Sequence, residues 1–187
     1  MKTSIPKLYL ITDRHLSKQD EEKDVLDALE SGIKIIQYRE KDLPEHQIIA
    51  TAKKLRILTR KYNALLIIND HPEIAEKIGA DGIHIGQDDT PIEEARKTFK
   101  GKIIGVSAKT MEQSIAAEKG GATYIGLALL KAVKASTTIP IVAIGGIDKT
   151  NAKDVFNAGA DSIAVISAII GKDIKKESKE LQEIIKE

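Results

Sequence analysis

The sequence contains no cysteine, which excludes disulfides, thiol nucleophiles and cysteine-based metal sites. It also lacks any real surplus of charge, the formal net value being +1. Nothing therefore drives the whole molecule toward nucleic acid or a membrane surface, and any anion binding has to be local. No apolar run approaches the ~18 residues of a membrane-spanning helix, and the polar residues after Met1 do not form a secretory leader. The expectation is a cytoplasmic protein with neither a nucleic-acid nor a membrane partner. Tryptophan is absent as well, and 24 of the 29 basic residues are lysine. Such a Lys/Glu-rich chain is compatible with heat adaptation or with genome composition alone.

What is present suits a globular chain. Hydrophobic residues make up 42% and charged residues 30% of 187, enough for one sizeable core in a single domain, 1–187. Short β-branched runs recur at Lys7–Thr12, Ile33–Tyr38, Leu65–Asn69, Gly82–Ile85, Ile103–Ser107, Thr123–Gly126, Ile141–Ile144 and Ser162–Ile166. Between them lie stretches with helical spacing: Val25–Glu30, Glu45–Tyr62, Ile92–Phe99, Met111–Lys119, Asn151–Asn157 and Ile174–Lys186. This alternation predicts an α/β fold with a parallel sheet covered by helices. Eight repeats point to a single-domain (β/α)8 TIM barrel, with a doubly wound open sheet as the alternative.

In such a barrel the chemistry sits where strands end. The second run ends in Gln37-Tyr38-Arg39-Glu40-Lys41. Alternation along a strand points Gln37, Arg39 and Lys41 the same way, which makes a poor core but a good anion site. Read alone, the five residues equally suit a solvated loop. Asp70 and Asp89 each follow a strand on neighbouring units, with Asp88 competing for the second place. Together they suit a hard cation such as Mg²⁺, whose shell water and phosphate complete. Each could also cap the helix that Pro72 or Pro91 opens. Gly145-Gly146 and Ile166-Ser167 end the seventh and eighth runs, the usual phosphate position, although a plain turn would also explain the glycines. Ser107 either donates to a phosphate oxygen or caps the helix at Met111. No histidine faces Ser107 in an obvious triad arrangement, so a serine-nucleophile mechanism is not expected, and His84 reads as an interior barrel residue. Arg14 and Lys109 are cations near the rim without a role. A divalent ion flanked by cations and a phosphate cradle suits metal-assisted departure of diphosphate.

The sixth unit is irregular. Thr123–Gly126 runs directly into an apparent helix from Leu127 to Lys131, whereas such connections usually take about two to six residues. Either the connection is unusual, or a segment is missing or disordered between about 125 and 127.

Seven stretches resemble the thiamine-phosphate synthase family: 8–14, 37–41, Ile67–Asp70, Ala80–Asp89, Ile104–Ala108, Val142–Ile147 and Ala164–Ile169. The resemblance implies a (β/α)8 transferase that joins hydroxymethylpyrimidine diphosphate to hydroxyethylthiazole phosphate, releasing pyrophosphate. It implies Gln37, Arg39, Lys41 and Asn69 on the pyrimidine diphosphate, with Arg39, Lys41 and Ser107 as catalytic contacts. It further implies Mg²⁺ on Asp70 and Asp89, and the thiazole phosphate at Gly146, Ile166 and Ser167. The family carries a Pro/Thr/Lys-rich loop after the sixth strand, absent from this sequence. His71 and Lys109 also depart from the family's common arginine and histidine. Two rivals share the barrel: a thiazole tautomerase, which needs no metal–diphosphate clamp, and, if the loop after the sixth strand is truly deleted, a catalytically silent phosphate-ligand barrel. Beyond small-molecule substrates, a homo-oligomer is compatible with the sequence.

Overall fold

The computed structural model describes residues 5–127 and 137–186. Eight parallel strands close into a barrel in chain order. They are β1 (Leu8–Ile11), β2 (Ile35–Tyr38), β3 (Leu65–Asn69), β4 (Gly82–Ile85), β5 (Ile103–Ala108), β6 (Tyr124–Leu127), β7 (Ile141–Ile144) and β8 (Ser162–Val165). The described helices are α1 (Glu21–Glu30), α2 (Glu45–Lys61), α3 (Pro72–Ile78), α4 (Ile92–Thr98), α5 (Met111–Lys119), α6 (Ala152–Asn157) and α7 (Ile174–Lys186). The closed order excludes the open-sheet alternative. No helix among the described residues is long and apolar enough to cross a membrane.

Strands in a closed barrel are covered on both faces, so they read as continuous Ile/Val/Leu runs. Their inward side chains, among them Tyr9, Ile35, Ile67, Ile103, Tyr124, Val142 and Ala164, fill the interior. The outward ones meet the helices: α2 buries Ile48, Ala52, Leu55 and Thr59, the face its spacing predicts, with Ile49 and Leu58 packed beside it.

Two expectations need correction. Helix α1 begins at Glu21 rather than Val25, because Asp20 caps it by accepting the Lys23 amide at 2.8 Å. The helix that Pro72 opens does form, as α3, with Pro72 in its first turn. Leu127 is not helical; it ends β6, pairing with Ala108 and Ala143. The rest of the helix expected there, from 128 on, lies outside the described residues.

At the barrel end opposite the site, one device recurs. The residue ahead of β4, β6 and β8 accepts an amide from the preceding strand. Leu66 N donates to Asp81 Oδ2 at 2.8 Å, Ile104 N to Thr123 Oγ1 at 2.9 Å, and Ile141 N to Asp161 Oδ2 at 2.9 Å. Asp81 additionally receives both arms of Arg56, at 2.6 and 3.1 Å, a fork geometry that fixes α2 to the base of β4. Gly79, at φ +63, supplies the left-handed cap that lets the chain turn from α3 into this position.

The first turn of α1 is unusual in facing acids inward: Glu21 and Asp24 are both buried. Burial pushes the Glu21 carboxyl up to about 7, against the hydrogen bond it shares with Thr12.

Two outcomes follow. Asp81→Ala strands the largely buried Arg56 guanidinium and the Leu66 amide, so urea denaturation should show a loss of roughly 2–3 kcal/mol; no loss would remove the clamp's role. Glu21 holds its proton in the folded state to about 7, above the ordinary carboxyl range near ~4.3 in the unfolded chain. Its contribution to stability is thus present at low pH and lost as pH rises through 7. Unfolding midpoints should fall as pH rises from about 4 to about 7 and level off above that, and Glu21→Gln should flatten that slope. An unchanged slope in the variant would contradict the assignment.

Candidate active site

At the other rim, β2 ends at Tyr38, yet its alternation persists for three more residues. Gln37 and Arg39 line a central cavity of about 410 Å³, and Lys41 reaches Asp70 at 3.0 Å. The intervening residues turn away. Tyr38 is buried in the core between strands and helices. Glu40, also buried, accepts Arg14 Nε at 2.9 Å and the amides of Asp42 and Leu43 at 2.8 and 3.3 Å. Burial pushes the Glu40 carboxyl up, but the two amides and the guanidinium outweigh it and hold it below its ordinary value. This carboxylate pins the bend after β2, and Thr12 Oγ1 secures it further by accepting the Arg39 amide at 3.1 Å. The solvated loop weighed as an alternative for the five residues 37–41 does not form, since Gln37, Tyr38 and Glu40 are all buried. Arg14 thereby gains a structural role, whereas Lys109 is exposed and outside the site. Among the described residues, the Arg39 side chain has no carboxylate within ion-pair distance.

Asp70 and Asp89 come together. Neither caps a helix: the cap positions of α3 and α4 are His71 and Pro91, without side-chain cap bonds. Asp70 instead adopts φ +63, a left-handed conformation that is costly outside glycine and tolerated best by Asp and Asn. Its amide is held by the His84 carbonyl at 2.9 Å. Asp89 folds back to accept the Gly86 amide at 2.6 Å. The two carboxyls share a hydrogen bond. Burial and then Asp89 push Asp70 up, Lys41 opposing; burial also penalises Asp89, but Asp70 and the Gly86 amide hold it down. Such a pair shares one proton or one cation. Asp88 is exposed and points to no such partner. No group of three or more His, Asp or Glu side chains that could hold a metal exists among the described residues. Two carboxylates with Lys41 beside them fit a magnesium ion that takes its other ligands from water and substrate phosphates.

The cavity is lined by Gln37, Arg39, Asn69, His84, Ser107, Tyr9 and Tyr124, among others. Asn69 Nδ2 is buried without a partner, a donor held ready in the cavity wall. Beside it lies a second cavity of about 230 Å³, bordered by Gly145, Gly146, Ile166, Ser167 and Lys172. Ile144, Ala164 and Ile166 border both cavities. Gly145 and Gly146 have φ +108 and +61, and a Cβ on either would meet nothing within 4 Å, so their backbone faces open space. Asn151 Nδ2 holds the Gly146 carbonyl at 2.8 Å. After β8 the chain makes one tight turn, with Ile170 N donating to Ile166 O at 2.8 Å. That leaves the amides at the start of the turn free for an anion.

One alternative fails here: Ser107 caps nothing, and Thr110 caps α5. His84 does reach Ser107, its Nε2 lying 2.8 Å from Oγ. The third member of the chain is the Tyr124 hydroxyl, 2.9 Å from His84 Nδ1, not a carboxylate, so no Ser-His-Asp triad forms. These tyrosines were missed because, in the sequence, they read as ordinary strand residues.

Comparison with known proteins adds the family. The family model TMP-TENI, described as thiamine monophosphate synthase, matches residues 8–129 and 125–169. The thiamine-phosphate synthase of Pyrococcus furiosus is 41% identical over 199 aligned positions, covering 97% of this chain and 95% of that protein. The Clostridium novyi protein of the same name is 44% identical, covering 95% of this chain and 98% of its own. The solved thiamine phosphate pyrophosphorylase from Pyrococcus furiosus superposes with a TM-score of 0.92 at 41% identity, over 96% of this chain and 95% of that one. Fold, strand-end residues and relatives agree, and none of these relatives carries the name of either rival. The chain belongs to the thiamine monophosphate synthase family, and is a transferase.

Proposed function

We propose that this chain couples hydroxymethylpyrimidine diphosphate to hydroxyethylthiazole phosphate, giving thiamine phosphate and pyrophosphate. The observation that supports this most is the meeting of Asp70, Asp89 and Lys41 at the mouth of a cavity lined by Gln37, Arg39 and Asn69. Arg39, Lys41 and Ser107 act on the leaving diphosphate, and Gln37 and Asn69 hold the pyrimidine end. The backbone at Gly146, Ile166 and Ser167 receives the thiazole phosphate in the adjoining cavity, so the two substrates meet across the shared wall of Ile144, Ala164 and Ile166.

The C–O bond between the pyrimidine methylene and the diphosphate breaks first, its electron pair leaving with the pyrophosphate. The aminopyrimidine ring spreads the resulting positive charge, and the thiazole nitrogen then closes the new C–N bond. No protein nucleophile is needed; the residues position both substrates and stabilise charge on the departing oxygens. Asp70 and Asp89 would hold Mg²⁺, which when bound neutralises charge on the leaving group. The reaction belongs in the cytoplasm.

We further propose that the connection after β6 is shorter here than in relatives. Two features support this. The family match falls in two pieces that overlap at 125–129. The alignment with the Pyrococcus furiosus protein also spans 199 positions while using 97% of a 187-residue chain, which opens a gap of about 18 positions on this side. An intact mass of 20.4 kDa checks this directly; a mass larger by a loop would refute it.

The deciding assay supplies both substrates with Mg²⁺ or with EDTA and follows thiamine phosphate. Product with Mg²⁺ and none with EDTA is expected. Asp70→Ala combined with Asp89→Ala should slow product formation by about 100-fold or more. Pyrophosphate release that persists unchanged in that variant would remove the metal role.

A further inference from the structure

Five side chains from five strands form one continuous hydrogen-bonded chain on the cavity wall. Gln37 Nε2 donates to the Tyr9 hydroxyl at 3.0 Å, and the Tyr9 and Tyr124 hydroxyls are 2.8 Å apart. Tyr124 OH lies 2.9 Å from His84 Nδ1, and His84 Nε2 lies 2.8 Å from Ser107 Oγ. The rings are locked: Tyr9 meets Tyr124 edge-on at 6.0 Å, and His84 stacks on Tyr124 at 5.5 Å. Glycine on β5 and β6 makes room for them. A Cβ on Gly105 would stand 2.0 Å from the Tyr124 ring, and one on Gly126 3.0 Å from His84.

Every hydrogen-bond partner within the chain is an uncharged hydroxyl, amide or imidazole, so each member is taken as neutral. Tyr9, Tyr124, His84 and Ser107 then carry one proton each, and the links between them consume one proton each. A hydroxyl can accept twice, but the buried Tyr9 or Tyr124 would then hold a proton with no acceptor, so the favoured order has all links pointing the same way. If Gln37 Nε2 donates to Tyr9, Tyr9 donates to Tyr124, Tyr124 to His84 Nδ1, and His84 Nε2–H to Ser107. The Ser107 proton is left over for the cavity. If the amide were turned, every link would reverse, and Ser107 could only accept from a ligand.

We propose that this ordered chain couples the two ends of the pyrimidine diphosphate site: Gln37 Oε1 accepts an exocyclic N–H at one end, and Ser107 is thereby fixed as a donor to an anionic oxygen at the other. Tyr9, Tyr124 and His84 are positioning residues for both contacts. The inference rests on the reading given under Proposed function, and it adds the basis of selectivity. A ring bearing an amino group matches the polarity of the chain at both ends. An oxo analogue reverses the demand at Gln37 and costs the Ser107 donor as well.

¹⁵N NMR of the free enzyme reads the order directly and requires no turnover. His84 should be the neutral Nε2–H tautomer, the form its two hydrogen bonds require in this order. A neutral Nδ1–H tautomer overturns the proposal even if the coupling reaction itself is confirmed. Tyr9→Phe cuts the chain between its ends. It should lower selectivity for the aminopyrimidine diphosphate over its oxo analogue by about 10-fold or more, with Tyr124→Phe as the second variant. Equal losses on both substrates in a variant that still folds would mark the tyrosines as packing only and refute the coupling.

Discussion

Inward and outward alternation in a closed barrel is the constraint on which the rest depends. With eight strands hydrogen-bonded in a ring, no edge is free and a strand cannot slip without exchanging its core face for its cavity face. In β2 the register pairs Gln37 with Ile11 and Ile67. A slip of one residue would place Tyr38 and Glu40 in the cavity and bury Arg39 and Lys41 among the helices. The reversed arrangement would leave two cations without water or partner, at a cost of several kcal/mol. The placement of the cations is thus a consequence of the fold. Glu40 strengthens it, since its buried carboxylate ties Arg14 and the following amides to the strand end.

The rim on this side combines groups whose electrostatic demands conflict in the absence of a ligand. Asp70 and Asp89 repel unless a proton or cation lies between them. Asn69 Nδ2 is buried without an acceptor, and the Gly145 and Gly146 backbone faces open space. A fold optimised for stability alone would avoid each feature. A bound divalent ion with phosphate oxygens would satisfy them together, leaving few groups to rearrange during reaction. The uncharged Tyr–Tyr–His wall is complementary: it offers ordered dipoles where an aromatic ring would sit and no competing charge.

Most of the fold was legible because barrel strands are short and predominantly apolar. Runs such as Leu65–Asn69 and Ile141–Ile144 match the strands residue for residue. The start of α1 was not, because its first turn is charged and apolar periodicity ignores Glu21 and Asp24 even though both are buried. Helix α3 was signalled by Pro72 at its start and not by periodicity, since seven residues give too few turns to establish a period. In the site, Gln37, Arg39, Lys41, Asp70 and Asp89 announced themselves as polar residues at strand ends. The positive φ of Asp70, which goes with its lying outside the cap position of α3, is invisible in sequence. The hydrogen-bonded wall was equally hidden, because Tyr9 and Tyr124 are separated by 115 positions and only barrel closure brings them together.

The central claim is that two carboxylates on neighbouring strand ends share one divalent ion with a departing pyrophosphate. Electron paramagnetic resonance of Mn²⁺ titrated into the protein with inorganic pyrophosphate tests it without depending on turnover. The account predicts one tightly held ion per chain, formed only when pyrophosphate is present and lost in Asp70→Ala with Asp89→Ala. An equally tight ion in that variant would contradict it.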